Sequence, residues 1–535
     1  MYDYIVVGGG SGGSVVASRL SEDPAVKVCL LEAGGPDKSI LIHAPIGVAA
    51  MLPRKLNNWA FETVPQPGLN NRKGYQPRGK TLGGSSSINA MLYVRGHKWD
   101  YDHWASLGNT GWSYDEVLPY FKRAENNERG GDEFHGTGGP LNVADLRSKK
   151  KIGDVFLDAA RELQFPITDD FNGADQEGVG FYQTTQKNGE RWSAAKGYLT
   201  PNLDRPNLTV ITHAPATKIL LDGKKAVGVQ YQQGRELKEI KATQEVILCG
   251  GAFATPQLML LSGIGPAEAI KEQGLDVHHE LKGVGENLQD HIDYVTAYRS
   301  DSKDTLGITL GGLGEILSGI SEWRKKRTGI ITTPFAEAGA FLKTSPSLEV
   351  PDYQLHLVIG MIDDHARKTN LGYGFSCHCC VLRPKSRGTV RLNSPNPQAA
   401  PRIDPNFFGN EDDLQTLLKA VKEMERLLHA PAFDKYRGKA LYPVDLSSDE
   451  ALIEALRNRS DTVYHPVGTC KMGTDDMSVV DPELRVHGME NLRIVDASVM
   501  PTLIGGNTNA PTIMIAEKAS DMIKASAKQR SHQAA

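Results

Sequence analysis

Six cysteines are few for a chain of 535 residues, and they exclude a disulfide scaffold. Cys377, His378, Cys379 and Cys380 are adjacent on a strand-like run, where neighbouring side chains point to opposite faces and cannot close a metal tetrahedron. No second ligand pair at zinc-like spacing lies nearby, so no metal site is expected; Cys29, inside an apolar run, reads as a small core residue. No apolar run reaches membrane-spanning length, and a strand-like run begins almost at Met1. That leaves no room for a signal peptide and predicts a cytoplasmic protein. Charge of one sign is also scarce: the formal net charge of -4 excludes a strongly basic nucleic-acid surface. An apolar fraction of 40% and a charged fraction of 23% are those of a globular protein, and the length predicts two domains or more. Internal repeats and low-complexity tracts are absent from the sequence.

What the chain does hold is a glycine-rich turn near its start. An apolar run from Tyr4 to Val7 enters Gly8-Gly9-Gly10-Ser11-Gly12-Gly13, and a second run, Val28 to Leu31, ends in Glu32-Ala33-Gly34. Gly8, Gly10 and Gly13 fit G-x-G-x-x-G, and Glu32 stands at the distance of the acidic residue that takes ribose hydroxyls. Without Cβ atoms the chain can turn tightly and approach a pyrophosphate, while the following helix N-terminus offers free N–H groups and a positive dipole end. A carboxylate at Glu32 repels a 2′-phosphate. FAD and NAD both remain open on this motif alone.

Residues 36 to 75, rich in Pro, Gly and Asn, read as an extended covering segment. Apolar spacing predicts helices over 150–165 and 411–430, and strand-like runs lie at Leu208 to Ile211, Lys218 to Leu221, Val227 to Tyr231 and Glu245 to Cys249. The last leads into Gly250-Gly251-Ala252, then Thr255-Pro256 and a helix after it. From about 292 to 464, β runs such as Tyr353 to Ile359 and Phe375 to Leu382 enclose a helical insertion, as in an antiparallel α+β domain. Leu492 to Val495 reads as a strand, 501–509 as a loop and Pro511 to Ile523 as a helix, with a polar tail after Lys524. The predicted fold is therefore α/β plus α+β. A discontinuous Rossmann-like dinucleotide domain covers 1–155, 205–291 and 465–535, and a substrate domain built on an antiparallel sheet and helices covers 156–204 and 292–464.

The stretch from Gly79 to Asn89, reading GKTLGGSSSIN, continues to Tyr93-Val94-Arg95-Gly96 and resembles the first signature of the glucose-methanol-choline oxidoreductases. Gly251 to Gly265, reading GAFATPQLMLLSGIG, resembles the second. Val284 to His291, Tyr464 to Thr469 and Gly506 to Thr512 are similar to family segments in the expected order, so the resemblance spans nearly the whole chain. Within the family it is most similar to bacterial choline dehydrogenase-like, acceptor-dependent alcohol dehydrogenases, including those acting on aliphatic alcohols or polyethylene glycol.

The resemblance implies FAD, and a site for it. Gly8, Gly10, Ser11, Gly13, Glu32 and Ala33 would hold the adenine side, with the backbone of Ala216 at adenine. Gly83, Ser87, Asn89 and Ala90 would approach the flavin ring. Asp496, Ala497, Asn507, Thr508, Pro511 and Thr512 complete the expected cofactor contacts, with Pro511 suited to the first turn of a helix whose dipole favours reduced flavin. Some relatives tether FAD through a His beside the residue matched by Asn89; here that position is Ile88, so non-covalent FAD is expected.

Alcohol oxidation needs removal of the hydroxyl proton and of a hydride, and His is the natural base near neutral pH. By resemblance, His465 is the catalytic base and Asn509 its partner, with Tyr464 beside it. Among the 15 histidines, His97, His291 and His487 read as structural. Glu337, in Phe335-Ala336-Glu337-Ala338-Gly339, is a candidate substrate contact of the type a choline-like cation would need, and Tyr464 is a second candidate substrate contact. The expected reaction is oxidation of primary aliphatic or polyether alcohols, with electrons passed to a quinone-type acceptor. An oxidase releasing hydrogen peroxide, a choline dehydrogenase and a non-redox FAD lyase are the alternatives. Residues 305 to 328 carry apolar positions at helical spacing before Trp323-Arg324-Lys325-Lys326-Arg327, as a peripheral contact with an anionic inner-membrane surface would require. Packing on the protein's own core is the commoner use of such a stripe. Oligomeric state is left open by the sequence.

Overall fold

The computed structural model describes residues 1–534. Short Val, Ile and Leu runs, buried on both faces, make a parallel sheet of Leu208–Ile211, Val28–Leu31, Tyr2–Val7, the end of Glu236–Leu248, and Leu492–Ile494. Apolar side chains of the Ser11–Leu20, Gly251–Leu261 and Asn509–Ala534 helices join its core. The run expected at Glu245 to Cys249 is only the end of a 13-residue strand. Its first half pairs antiparallel with Lys225–Gln233, which pairs with Ala216–Asp222.

The second sheet is antiparallel, in the order Asp461–Thr462, Ile292–Ser300, Gly372–Val381, Tyr353–Val358, Ala336–Leu342, Gly178–Phe181. Its strands alternate. Leu355, Leu357, Cys377 and Cys379 pack with helices Lys151–Glu162 and Glu411–Leu428, whereas His356, Val358 and His378 face a cavity between this sheet and the first. All six cysteines are free and buried.

Three local expectations change. The helix expected after Pro256 begins at Gly251, with Pro256 inside it. Proline there leaves the carbonyl of Ala252 without its helical donor, and the Thr469 hydroxyl takes its place at 2.6 Å. The last helix runs from Asn509 to Ala534, through the stretch read as a polar tail. Finally, the Leu310–Lys326 helix lies on the protein through Gly312, Gly319 and Trp323, with Ile316 half-buried beside them, and not through Leu310, Leu313 and Leu317. A Cβ at Gly319 would come within 2.6 Å of Ile330. Trp323 is buried and donates to the Gly189 carbonyl, so it is no surface anchor, while Leu310, Leu313 and Leu317 are exposed. Among the described residues no helix is long and apolar enough to cross a membrane.

Candidate active site

One cavity runs between the two sheets, with Glu32 and Ala216 in its wall at one end and His465 and Asn507 at the other. At the first end the chain leaves Tyr2–Val7 through Gly8, whose φ of +104° is open to glycine, and enters the Ser11–Leu20 helix. The glycines divide their tasks. A Cβ at Gly13 would sit 1.9 Å from the Gly8 carbonyl, so Gly13 serves helix-to-strand packing and does not line the cavity. A Cβ at Gly10 would meet no protein atom closer than 4.0 Å; the space beside it belongs to the cavity. Glu32 accepts from the amides of Gly9 at 2.8 Å and Gly34 at 2.7 Å, and burial pushes its pKa up to about 7. Ala33, Ala214 and Pro215 adjoin it.

Two helix N-termini converge in the middle. Ser11 Oγ donates to Asn509 Oδ1 at 2.7 Å, tying the start of the first helix to the start of the last. Asp496 caps a third, accepting from Gly251 N at 2.8 Å and Thr255 Oγ at 2.6 Å, and Ala497, Thr508 and Thr512 line the wall beside it. Pro511 occupies the first turn of its helix but stays outside the cavity wall.

The Gly83–Asn89 loop is bound to the opening turn, Gly83 N donating to Gly9 O at 2.7 Å. A Cβ on Gly84 would come within 2.7 Å of the Gly10 Cα, so the two glycine turns pack backbone to backbone. Ser85, Ile88, Asn89 and Ala90 line the cavity; Gly83 and Ser87 do not. Ser87 instead donates to the Leu82 carbonyl and shapes the loop from behind. Asn89 Oδ1 is held by Arg191 at 2.7 Å, a buried guanidinium whose pKa burial lowers to about 9. Nothing in the sequence singled out Arg191.

At the far end, His465 is buried, and its backbone N–H donates to Asp290 at 2.9 Å. Tyr464 before it has φ +76°, with its carbonyl bound by Arg78 and its hydroxyl 2.7 Å from His365 Nδ1. Nδ1 of His465 lies 2.9 Å from Nδ1 of His291, and Nε2 lies 3.2 Å from Asn507 Nδ2. Burial first, then the neighbouring His291, His356 and Arg78, hold the His465 pKa well below the ordinary imidazole value. The ring is neutral at pH 7 and can take a proton. Its partner is Asn507, not Asn509 as expected: Asn507 precedes the last helix, whereas Asn509 begins it and turns to Ser11.

Glu337 is also corrected. It is buried on Ala336–Leu342 with its side chain away from the cavity, accepting from Lys150 N at 2.8 Å and Thr333 Oγ at 3.0 Å, and so caps the Lys151–Glu162 helix. His356, on the neighbouring strand, does line the cavity, with both ring nitrogens unpartnered. Alternation in Tyr353 to Ile359 could have put His356 opposite Leu355, but not said which face carries chemistry. His291, read as structural, touches the base directly.

Family profiles described as GMC oxidoreductase match residues 2–293 and 384–516. The chain is 47% identical over 527 residues to an alcohol dehydrogenase (acceptor) of Pseudomonas putida, covering 98% of this chain and 96% of that protein. It is 43% identical to an oxygen-dependent choline dehydrogenase of Escherichia coli K12, covering 98% and 95%. Among solved structures, pyridoxine 4-oxidase from Mesorbium loti superposes with a TM-score of 0.88 at 29% identity, covering 97% of this chain and 99% of that one. Formate oxidase from Aspergillus oryzae, in a study of FAD modification, gives 0.91 at 26%, covering 99% of each.

Proposed function

The chain belongs to the GMC oxidoreductase family, and on that premise we propose that it oxidises primary aliphatic or polyether alcohols to aldehydes, with His465 as base and a quinone-type molecule as final acceptor. Its family and its 47% identity to an alcohol dehydrogenase (acceptor) support an FAD-dependent alcohol dehydrogenase. The residues present fit FAD: Glu32 for ribose, the paired helix N-termini for pyrophosphate, and the Gly84–Asn89 wall for the ring. Bound FAD supplies the two-electron acceptor for hydride from the carbinol carbon. Ile88 lines the wall without a nucleophilic atom, which supports non-covalent binding.

One observation carries the reading: a neutral, buried His465 with Nε2 at the cavity wall beside the amide of Asn507. Nε2 takes the hydroxyl proton, while Asn507 Nδ2 donates to the alcohol oxygen as negative charge grows there. The low pKa places the base in its proton-accepting form across the neutral range. Val48, Ala49, Leu52, Trp59 and Phe61 of the covering segment give the cavity an apolar wall.

Substrate charge follows from the lining. Glu32 and Asp496, both on the cofactor side, are the acidic residues in the cavity wall, and Glu337 is turned away. A quaternary ammonium would find Phe335, Tyr464 and Val358 but no carboxylate in the cavity wall at the His465 end, Asp290 and Asp293 lying behind it on His465 and His378, which favours an uncharged alcohol over choline.

A second observation bears on the acceptor. Leu310, Leu313, Leu317 and Ile320 form one exposed helix face that ends at Arg324, Lys325 and Lys326. Apolar side chains with cations beside them suit the surface of an anionic bilayer, where a quinone pool would be within reach. Co-sedimentation with anionic vesicles tests this: Leu313→Glu with Leu317→Glu should abolish it, and undiminished binding by that variant overturns the membrane contact.

The function is tested by anaerobic mixing of the FAD-loaded enzyme with ethanol-to-dodecanol alcohols, polyether glycols and choline. Bleaching by neutral primary alcohols and not by choline is expected. No bleaching by any of them points to a non-redox lyase; reoxidation by oxygen as fast as by a quinone analogue points to an oxidase. His465→Gln should slow bleaching about 10²-fold or more.

A further inference from the structure

We propose that His291 is a positioning residue that fixes the tautomer of His465, leaving Nε2 of the base bare toward the cavity. The proposal rests on the reading of His465 as the base. The argument starts from backbone carbonyls, which accept hydrogen bonds and cannot donate them. Nε2 of His291 lies 2.9 Å from the carbonyl of Leu382, so Nε2 carries a proton. Burial and the nearby Arg383 press the His291 pKa down to about 3, so the ring is neutral and its Nδ1 is a lone pair. That lone pair faces Nδ1 of His465 at 2.9 Å. Two lone pairs in contact would leave two buried polar atoms unsatisfied, so Nδ1 of His465 is the donor. The neutral His465 ring has one N–H, and its Nε2 is therefore bare.

A second chain reaches the same atom from the other side. The Tyr182 hydroxyl donates to the carbonyl of Leu355 at 2.7 Å, and its oxygen is left to accept from Gln354 Nε2 at 3.0 Å. This fixes which way the Gln354 amide points. The same Nε2 faces Asn507 Oδ1 at 3.2 Å, which turns Nδ2 of Asn507 toward His465 Nε2. An N–H at that nitrogen would oppose the N–H of Asn507. Both chains end on backbone carbonyls, Leu355 within strand Tyr353–Val358 and Leu382 just past strand Gly372–Val381, and both require the same tautomer.

His291, Tyr182 and Gln354 are almost wholly buried, so water does not supply substitute partners freely. The charged or titratable groups around the pair are Arg383 at His291, and Arg78, His356 and Asp290 at His465. None of them offers a substitute acceptor placed for Nδ1 of His465. With the opposite tautomer, His465 could donate to the alcohol oxygen but could not take its proton. The geometry thus gives His291 a role in the chemistry without contact with the reacting atoms.

Rapid anaerobic mixing of the FAD-loaded enzyme with a primary alcohol tests it. His291→Leu removes the acceptor and should lower the limiting rate of flavin reduction about tenfold or more, with KM changed less than about threefold. His291→Gln can donate to Leu382 and accept from His465, and should recover the rate to within about threefold. A wild-type rate in His291→Leu, or equal impairment in the two variants, overturns the proposal. His465→Gln is measured beside them. If it is inactive while His291→Leu keeps the wild-type rate, only the tautomer role fails; if His465→Gln itself keeps the wild-type rate, the base reading fails. Should His291→Leu not fold, Gln354→Leu tests the second chain by the same readout. A lower limiting rate at constant KM supports it, and an unchanged rate overturns it.

Discussion

Asn507 presents its side-chain amide to Nε2 of His465 at 3.2 Å, and Asn509, two residues later, turns away to Ser11. The two asparagines therefore separate in function. Asn507→Ala removes a donor aimed at the alcohol oxygen and should lower flavin reduction by about 10- to 100-fold in enzyme that still holds FAD. Asn509→Ala instead unties the first and last helices. It should lower FAD occupancy while the loaded fraction reacts at the wild-type rate. Flavin-to-protein absorbance ratios and single-turnover rates read the two effects apart.

The glycines of the opening turn can be separated in the same way. Gly13→Ala drives a methyl into the Gly8 carbonyl and should destabilise the protein with or without cofactor, by about 1–3 kcal/mol. Gly10→Ala meets no protein atom closer than 4.0 Å, so melting of the FAD-free protein should hold while FAD affinity falls. Equal loss of stability in the two FAD-free variants would contradict this division.

The sequence made the parallel sheet legible because its strands are short apolar runs ending at glycine turns, and Tyr2–Val7 and Val28–Leu31 pair as adjacent strands in it. The second sheet was legible as a class. What stayed hidden depends on orientation. A two-residue offset between Asn507 and Asn509 decides which one meets His465, and spacing alone does not set it at a helix entry. Glu337 lies on a strand whose two faces differ in function: one meets helix Lys151–Glu162, the other the cavity. His291 and His465 are 174 positions apart, a contact made only by the tertiary fold.

Glu337 yields a stability prediction. Burial raises its pKa to about 7 from the ordinary glutamate value of 4.5, so between these values the folded state binds more protons than the unfolded state. Stability then falls as pH rises from about 4.5 to 7, by at most about 3 kcal/mol. Glu32 shifts in the same direction and will keep part of this slope. Glu337→Gln should flatten the remainder in melting curves taken at pH 5 and pH 8. Activity on alcohols should change less than about twofold, since the side chain caps a helix outside the cavity.

His356 carries the opposite balance. Both ring nitrogens of the buried side chain lack a protein hydrogen-bond partner, and burial lowers the pKa to about 3. Below pH 6.5 the unfolded chain binds a proton that folded His356 refuses, so stability is lost as pH falls from there toward 3. Such a cost is borne where a ligand satisfies the group, and the ring lines the cavity beside His378. His356→Leu should therefore raise the melting temperature at pH 5 and reduce its acid sensitivity. The same change should raise KM for primary alcohols about tenfold, as loss of a hydrogen bond to the substrate requires. A variant that is more stable and keeps the wild-type KM would assign His356 to the fold alone.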